Sequence, residues 1–290
     1  MRIASVSDLH VDFADNRDAF VELAGAVHRG GADVVVVAGD VSHVDEHITL
    51  VLRSLRVAVE TVAYLPGNHD LWLVPPAAPS EDRDSWRRYR EELPALCAAE
   101  GCHYLPRGPL ELGRVAIAGT TGWYDGSLLR PHARREAPDD LLATGRFGDA
   151  QWSDARFARF LDSAGRPMPP EVVARTMERE LAAQLEDLDR HPEVEDVVVA
   201  THVLGFREAL GPSRGLPFDL LDAFMGSRSL GQVIQGSKKV RAAIYGHTHF
   251  GARFEVGGIK VHGTPLGYPR ERRRWPEGSL VDRALGWIDL

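Results

Sequence analysis

Residues 62–70 read Val-Ala-Tyr-Leu-Pro-Gly-Asn-His-Asp, a short apolar run that breaks at proline and glycine and ends in three polar side chains able to bind or flank a metal ion. Four other stretches repeat the construction. Ile3-Ala4-Ser5-Val6 leads into Asp8-Leu9-His10, Val34-Val35-Val36-Val37 into Gly39-Asp40, Val197-Val198-Val199-Ala200 into Thr201-His202, and Ala242-Ala243-Ile244-Tyr245 into Gly246-His247-Thr248-His249. Side chains so far apart in sequence can meet only on a folded scaffold built from strands.

The runs are short and mostly β-branched or small, which favours buried strands over helices. Their near-continuous apolar character implies cover on both faces. Helical spacing separates the first three: Phe20, Leu23, Ala24 and Val27, then Ile48, Val51, Leu52 and Leu55. The chain therefore opens β-α-β-α-β with a parallel sheet. In open sheets of this kind ligands bind beyond the carboxyl ends of the strands, where all five polar segments fall.

Mixed carboxylate and imidazole suit zinc, manganese or iron, whereas an oxygen-only set would suit calcium or magnesium. Two such ions about 3.5–4 Å apart clamp the attacking and leaving oxygens of an in-line displacement and generate hydroxide near neutral pH. A carboxylate shared by both ions holds that separation. Gly39, Gly67 and Gly246 each precede a candidate ligand, where the missing side chain permits a sharp turn and a tightly closed site.

The ordered blocks D-x-H, G-D, G-N-H-D, a single His and G-H-x-H resemble the calcineurin-like metallophosphoesterases. Asp8 to His10, Gly39-Asp40, Gly67 to Asp70, His202 and Gly246 to His249 match every block, and the resemblance runs from residue 1 to about 265. It implies an α/β fold, a four-layer α/β/β/α sandwich with helices outside, two mixed β-sheets inside and the metals at one edge. It implies that Asp8, His10 and His249 bind one metal ion, that Asn68, His202 and His247 bind the other, and that Asp40 bridges them. By the same resemblance His69 contacts the phosphate and protonates or stabilises the leaving group, with Asp70 orienting its imidazole. The D-R-G tail and the G-N-H-E of the protein Ser/Thr phosphatases are absent, which disfavours that branch.

Residue chemistry agrees with this split. Asn68 supplies a neutral oxygen, so two carboxylates face two multiply charged cations and positive charge remains for an anionic substrate. A histidine held by a neighbouring carboxylate suits general-acid work. Asp12 reads as a supporting or turn residue rather than a ligand, and His43 as facing water.

The chain has 290 residues, 44% of them hydrophobic, enough for a large core. The ligand spread argues for a single domain over 1–290, with an irregular insertion at about 126–170. No window approaches a membrane span, and a ligand at position 8 leaves no room for a cleaved signal peptide, so a cytoplasmic protein is expected. Cys97 and Cys102 lack a second pair for structural zinc and are expected to be reduced. A net charge of −8 and a pI near 5.8 argue against an extended nucleic-acid surface. The local exception, Arg270, Arg272, Arg273 and Arg274 beside Trp275, reads as a solvated charge run outside the site.

Substrate choice falls to the remaining segments. Val115 to Gly119 reads as a strand, and Trp123-Tyr124 beyond it reads more readily as packing than as a stacking wall. Trp72 either lines the mouth or plugs the core. Helical spacing returns from Pro170 to Leu188, and Leu220 to Met225 reads as a core helix. Ala252–Val256 and Ile259–His262 flank Gly257-Gly258 as a hairpin of a second sheet, with His262 structural. Thr264 to Tyr268 reads as a loop that could touch substrate, though nothing in its composition demands that contact.

The expected activity is dinuclear metal-dependent phosphate-ester hydrolysis, with a metal-bridging hydroxide attacking in line and His69 assisting the leaving group. The resemblance favours diesters over monoesters. The alternatives are a phosphomonoesterase, a hydrolase of amides or carboxyl esters, and a non-catalytic scaffold or adaptor. The expected cofactors are two metal ions (Mn, Fe or Zn), and the expected partner is a small phosphorylated substrate, nucleotides among the candidates, with no membrane and an open oligomeric state.

Overall fold

The computed structural model describes residues 1–74, 84–273 and 275–290; Arg274 of the arginine run lies outside them. Its strands are β1 (Arg2–Val6), β2 (Val34–Ala38), β3 (Thr61–Leu65), β4 (His103–Tyr104), β5 (Leu110–Leu112), β6 (Val115–Thr120), β7 (Arg146–Phe147), β8 (Ala150–Gln151), β9 (Asp196–Thr201), β10 (Val240–Tyr245), β11 (Arg253–Val256), β12 (Ile259–Gly263) and β13 (Gly286–Asp289). One sheet runs β13-β1-β2-β3-β4 and the other β11-β12-β10-β9-β6-β5, while β7 and β8 form a ribbon. β1 to β4 are parallel, and β13 joins β1 antiparallel. In the second sheet β6, β9, β10 and β12 are parallel, with β5 and β11 antiparallel at the edges. Both sheets are mixed.

Alternation along the strands sorts the core into layers. Val34, Val36 and Ala38 of β2 pack with Ile117, Val198, Ala200 and Ile244 between the sheets. Val35 and Val37 pack instead with Leu23 and Val27 of helix Ala14–Arg29 and with Val51 and Leu52 of helix Asp45–Ala58. The second sheet does the same: Val197 and Val199 meet Leu181, Leu185 and Leu188 of helix Pro170–Arg190 and Leu230 and Ile234 of helix Arg228–Gly236. All five residues of β2 are fully buried, because helices cover one face and the other sheet covers the other. Each such Val contributes about 1.5–3 kcal/mol of transfer free energy. The result is the α/β/β/α sandwich.

Most expected elements form, including the helix after Pro170 and the β11–β12 hairpin, which joins the second sheet through β12 and β10. Leu220 to Met225 differs from expectation. All of it but Met225 lies in a 3-10 helix, Phe218–Phe224, that buries Leu220, Ala223 and Phe224. Pro217 and Gly226 leave too few residues between them for an α-helix to repay its nucleation. Helix Arg228–Gly236 continues through an internal glycine, Gly231. A Cβ on Gly231 would lie 2.1 Å from the Gly205 carbonyl oxygen, so that glycine serves close packing rather than a break. Residues 126–170 form short helices, Pro131–Glu136, Leu141–Thr144 and Asp154–Phe157, plus the β7–β8 ribbon. Trp123 and Tyr124 are buried, stacked on each other with ring centroids 5.0 Å apart and packed on Phe160 and Phe224 respectively.

Candidate metal centre

The five polar segments converge where β1, β2, β3, β9 and β10 end. Among the described residues the non-glycine positions with positive φ are Asp8 (53°), His10 (41°), Asp40 (55°), His247 (73°) and His249 (51°), every one an expected ligand. Such left-handed backbone is uncommon outside glycine and clusters at functional sites. Hydrogen bonds between neighbouring loops hold it: Asp8 N–H donates to the Gly39 carbonyl (2.9 Å) and His10 N–H to that of Asp40 (2.9 Å). The glycines allow the loops to touch. A Cβ on Gly67 would stand 2.1 Å from Asp40 Oδ1, one on Gly39 2.6 Å from His202 Nδ1, and one on Gly246 2.7 Å from Asp8 Oδ2.

Single ligand atoms from Asp8, His10, Asp40 and His249 lie within 4.8 Å of one another, as do those from Asp40, His202 and His247. Asp40 belongs to both groups. Asn68 Oδ1 lies 3.0 Å from His202 Nε2 and 2.9 Å from His247 Nδ1. Outer partners fix the tautomers of three rings. His202 Nδ1 meets the Ala38 carbonyl (2.9 Å), His247 Nε2 the Phe224 carbonyl (2.9 Å), and His249 Nδ1 the Glu271 carboxylate (2.8 Å). Each outer nitrogen must carry the proton to bond there, so the inner nitrogen presents a bare lone pair. Those nitrogens face other ligand atoms: His202 Nε2 is 3.3 Å from Asp40 Oδ1, and His249 Nε2 is 3.5 Å from Asp8 Oδ1 and 2.9 Å from His10 Nε2. Asp8 Oδ2 is buried with no hydrogen-bond partner. Buried carboxylates and imidazole nitrogens crowded this closely favour positive charge among them, and the donor set fits two metal ions of borderline softness.

The electrostatics express the same demand. Burial would raise Asp40, but His202 and His69 hold it well below the usual carboxylate range. Burial would lower His202, yet Asp40 outweighs it and lifts that imidazole to about 9, so positive charge is strongly favoured between the two. Burial and then His202 push His247 down to about 3. Burial, with His69 adding to it, holds His10 well below its ordinary value.

His69 stands at the mouth. Its backbone N–H donates to Asp40 Oδ1 (2.9 Å), its ring stacks on Trp72 with centroids 3.6 Å apart, and its Nε2 lies 3.4 Å from the Tyr268 hydroxyl. Burial lowers its pKa to about 4 despite Asp40, so the ring is neutral at pH 7. Asp70 does not orient this imidazole as expected. Its Oδ1 accepts from Val41 N–H and Ser42 N–H and its Oδ2 from Gly67 N–H, all at 2.8 Å. Successive residues of the 3-10 turn His69–Leu71 point to different sides, which sends the carboxylate into the core. There burial and Asp40 raise its pKa to about 7, and it ties the Asp40 loop to the Asn68 loop.

Several neighbours escaped the sequence reading. Asp154 in the insertion accepts from Asn68 Nδ2 (2.8 Å) and Trp72 Nε1 (2.7 Å) through Oδ1 and from Trp152 Nε1 (2.8 Å) through Oδ2. This turns the Asn68 oxygen toward the histidines. Glu271 does the same service for His249. Trp72 therefore lines the mouth. His43, expected to face water, is half-buried near Asp12, and both line the cleft. Arg270 and Arg273, expected to be solvated outside the site, also line it; Arg272 instead donates to Asn16 Oδ1 (2.7 Å).

Residues 1–251 match the calcineurin-like phosphoesterase family, and the chain belongs to it. It is a metallophosphoesterase, a hydrolase of phosphoric ester bonds. The [acyl-carrier-protein] phosphodiesterase PptH of Mycobacterium tuberculosis is 27% identical over 293 residues, 97% of this chain and 82% of the relative. The crystal structure of that phosphopantetheinyl hydrolase superposes with a TM-score of 0.72 at 21% identity, covering 99% of this chain and 95% of the other. A dimetal phosphatase from Danio rerio shares the fold at TM-score 0.50 and 15% identity, over 91% of this chain and 86% of its own. Among the described residues no helix is long and apolar enough to cross a membrane.

Proposed function

We propose that this chain is a phosphodiesterase that releases a phosphopantetheinyl group from a carrier protein. The observation that carries the diester reading is the similarity to PptH, which extends over nearly the whole chain, well past the stretch matched by the family. The pocket of inward lone pairs supports the metal assignment. Asp8, His10 and His249 would hold one cation and Asn68, His202 and His247 the other, with Asp40, common to both groups, available to each. When bound, the ions supply Lewis acidity and a water of lowered pKa for attack on phosphorus.

The protein's own residues do the rest. Asp154 keeps Asn68 in the productive flip, and Glu271 holds His249 in the productive tautomer. His69, neutral and stacked on Trp72, presents Nε2 to the cleft and hydrogen-bonds the departing ester oxygen. Asp70 locks the two loops on which Asp40, Asn68 and His69 stand. Ligands drawn from both sheets make residues 1–290 one catalytic unit, with 126–170 as an insertion that closes one side of it.

The test uses protein stripped of metal and reloaded with manganese, with Asp40→Ala as control. Bis-p-nitrophenyl phosphate should be hydrolysed faster than p-nitrophenyl phosphate, and intact-mass spectrometry should show a phosphopantetheinylated carrier protein returned to its unmodified form. Failure of the carrier reaction with retained diester turnover would move the substrate to another diester. Failure of both with manganese, and again with iron or zinc reloaded, would remove the phosphodiesterase reading.

A further inference from the structure

Two cavities open at the candidate metal centre. One, of about 530 Å³, extends past Asn68, His247 and Trp152 toward Arg130, Arg214 and Phe250. The other, of about 620 Å³, extends past His10 and Trp72 toward Phe13, Asp12 and His43. Three residues line both: His69, Tyr268 and Arg270. The partition between the cavities is therefore made of an imidazole, a phenol and a guanidinium, the first two adjoining through Nε2 and the hydroxyl at 3.4 Å.

Tyr268 is held there firmly. Its ring packs against those of His10 and His249, each with centroids 4.6 Å apart. Its backbone N–H donates to Glu271 Oε2 (2.8 Å), the same oxygen that takes the His249 Nδ1 proton. The preceding Gly267 N–H donates to the Asp8 carbonyl (3.0 Å). A tyrosine hydroxyl carries a proton at neutral pH and can donate it in a hydrogen bond. Arg270 lies 5.4 Å over the Tyr268 ring and makes no ion pair with a carboxylate among the described residues. Arg270, with no ion-pair partner among the described residues, and the Tyr268 hydroxyl, which meets a ring nitrogen of His69 at 3.4 Å, stand at the junction of two cavities and fit a tetrahedral anion that carries a substituent on each side. A monoester would occupy only one arm.

We infer that Tyr268 and Arg270 are the phosphoryl-recognition pair of this enzyme, seating a diester phosphate across the partition with one ester substituent in each cavity. This rests on the phosphodiesterase reading for its substrate, but phosphate recognition can be read without turnover. The Tyr268 hydroxyl and an Arg270 N–H donate to non-bridging oxygens, and His69 faces the ester oxygen that leaves.

The experiment compares wild type, Tyr268→Phe, Arg270→Ala, Ala14→Trp in one arm and Pro212→Trp in the other, all metal-loaded. Metal content and thermal midpoint are measured for each, then affinity for inorganic phosphate by calorimetry, then kcat and KM for bis-p-nitrophenyl phosphate. Tyr268→Phe is expected to keep two metal ions, lose about a hundredfold in kcat/KM and weaken phosphate binding. Arg270→Ala is expected to weaken phosphate binding about tenfold, with its effect mainly in KM. The two Trp variants are expected to leave phosphate affinity unchanged while lowering diester kcat/KM at least about tenfold, since inorganic phosphate needs neither arm. Phosphate affinity unaltered in both Tyr268→Phe and Arg270→Ala would overturn the recognition pair. Full diester turnover in both Trp variants would overturn the two-armed seat. Wild-type protein that binds phosphate through these residues yet hydrolyses no diester would sink the phosphodiesterase reading and leave the pair standing.

Discussion

The metal pocket and the walls of the cleft around it are built on opposite terms. Every proposed ligand stands just beyond the end of one of five parallel strands, on a loop tied to its neighbours by hydrogen bonds to backbone groups, and most sit in left-handed backbone. The walls come from segments without periodicity: the 126–170 insertion, the loop around Gly211 and Arg214, and the turn Tyr268 to Glu271. A strand end fixes a side chain to within a fraction of an ångström because its backbone is already paired on both sides. A loop fixes one only through contacts it makes for itself. The difference teaches where tolerance lies: the pocket should fail at the backbone, the walls at single hydrogen bonds.

The largest effect should come from adding one methyl group to the pocket backbone. In Gly67→Ala the new Cβ would stand 2.1 Å from Asp40 Oδ1, a buried oxygen held by the His69 N–H, and 2.4 Å from the Asp40 backbone nitrogen. The shared carboxylate must move, taking with it several kcal/mol of Lewis-acid stabilisation, equivalent to about a thousandfold in turnover. Bound metal, counted by inductively coupled plasma mass spectrometry, should fall below two ions per chain. Two ions and near-normal turnover in Gly67→Ala would show that the pocket backbone yields as readily as the walls.

Asp154→Ala carries the same question across to the walls. Asn68 Nδ2, Trp72 Nε1 and Trp152 Nε1 all lose their acceptor, and the Asn68 amide is free to flip its nitrogen toward His202 and His247. Loss of an outer partner of this kind costs about 10–100-fold in metal affinity or activity. The loss should fall on one ion of the pair, seen as a metal titration that changes from one class of tight site to two.

These two cases also mark what the sequence can show. Gly67, Asn68 and Asp40 are legible because motif residues follow strand runs, and the sheet then determines their meeting point. The layers are legible for the same reason, since β2 is apolar throughout and the helices before and after it carry a clear stripe. Asp154 is not legible: it lies in a run with no period, and only the folded path of the insertion brings it to Asn68. Arg270 and Arg273 mislead in the opposite way, because a run of arginines reads as solvent-facing until both are seen to line the cleft beside the Tyr268 turn. Asp70 shows the limit of a motif itself, since its carboxylate goes to three backbone N–H groups on the far side of the turn from the His69 ring.

Glu271→Gln should act more gently than Asp154→Ala. The amide oxygen can still accept from His249 Nδ1 and from Tyr268 N–H, so tautomer and turn persist, but the negative charge that raises the basicity of His249 is gone. The expected outcome is about a tenfold weaker hold on the ion near His249, at the low end for such partners. Glu271→Ala, which also releases the Tyr268 turn, should lose phosphate affinity in addition. Equal effects of the two variants would mean that the turn holds itself.

The smallest effect expected is that of Trp72→Phe, and it separates two roles of one side chain. The indole stacks on the His69 ring and also donates to Asp154 Oδ1 at 2.7 Å. Phenylalanine keeps an aromatic face for the imidazole and removes only the donor. Asp154 retains Asn68 Nδ2 and Trp152 Nε1, so the cost is that of one hydrogen bond, about 0.5–1.5 kcal/mol, or roughly two- to tenfold in kcat/KM. Trp72→Ala removes the stack as well, leaving His69 without the surface that fixes its ring plane, and should lower kcat well beyond the phenylalanine variant while metal content stays at two. If alanine and phenylalanine behaved alike, the stack would contribute nothing to the orientation of His69, and the Tyr268 hydroxyl and Asp40 would have to supply all of it.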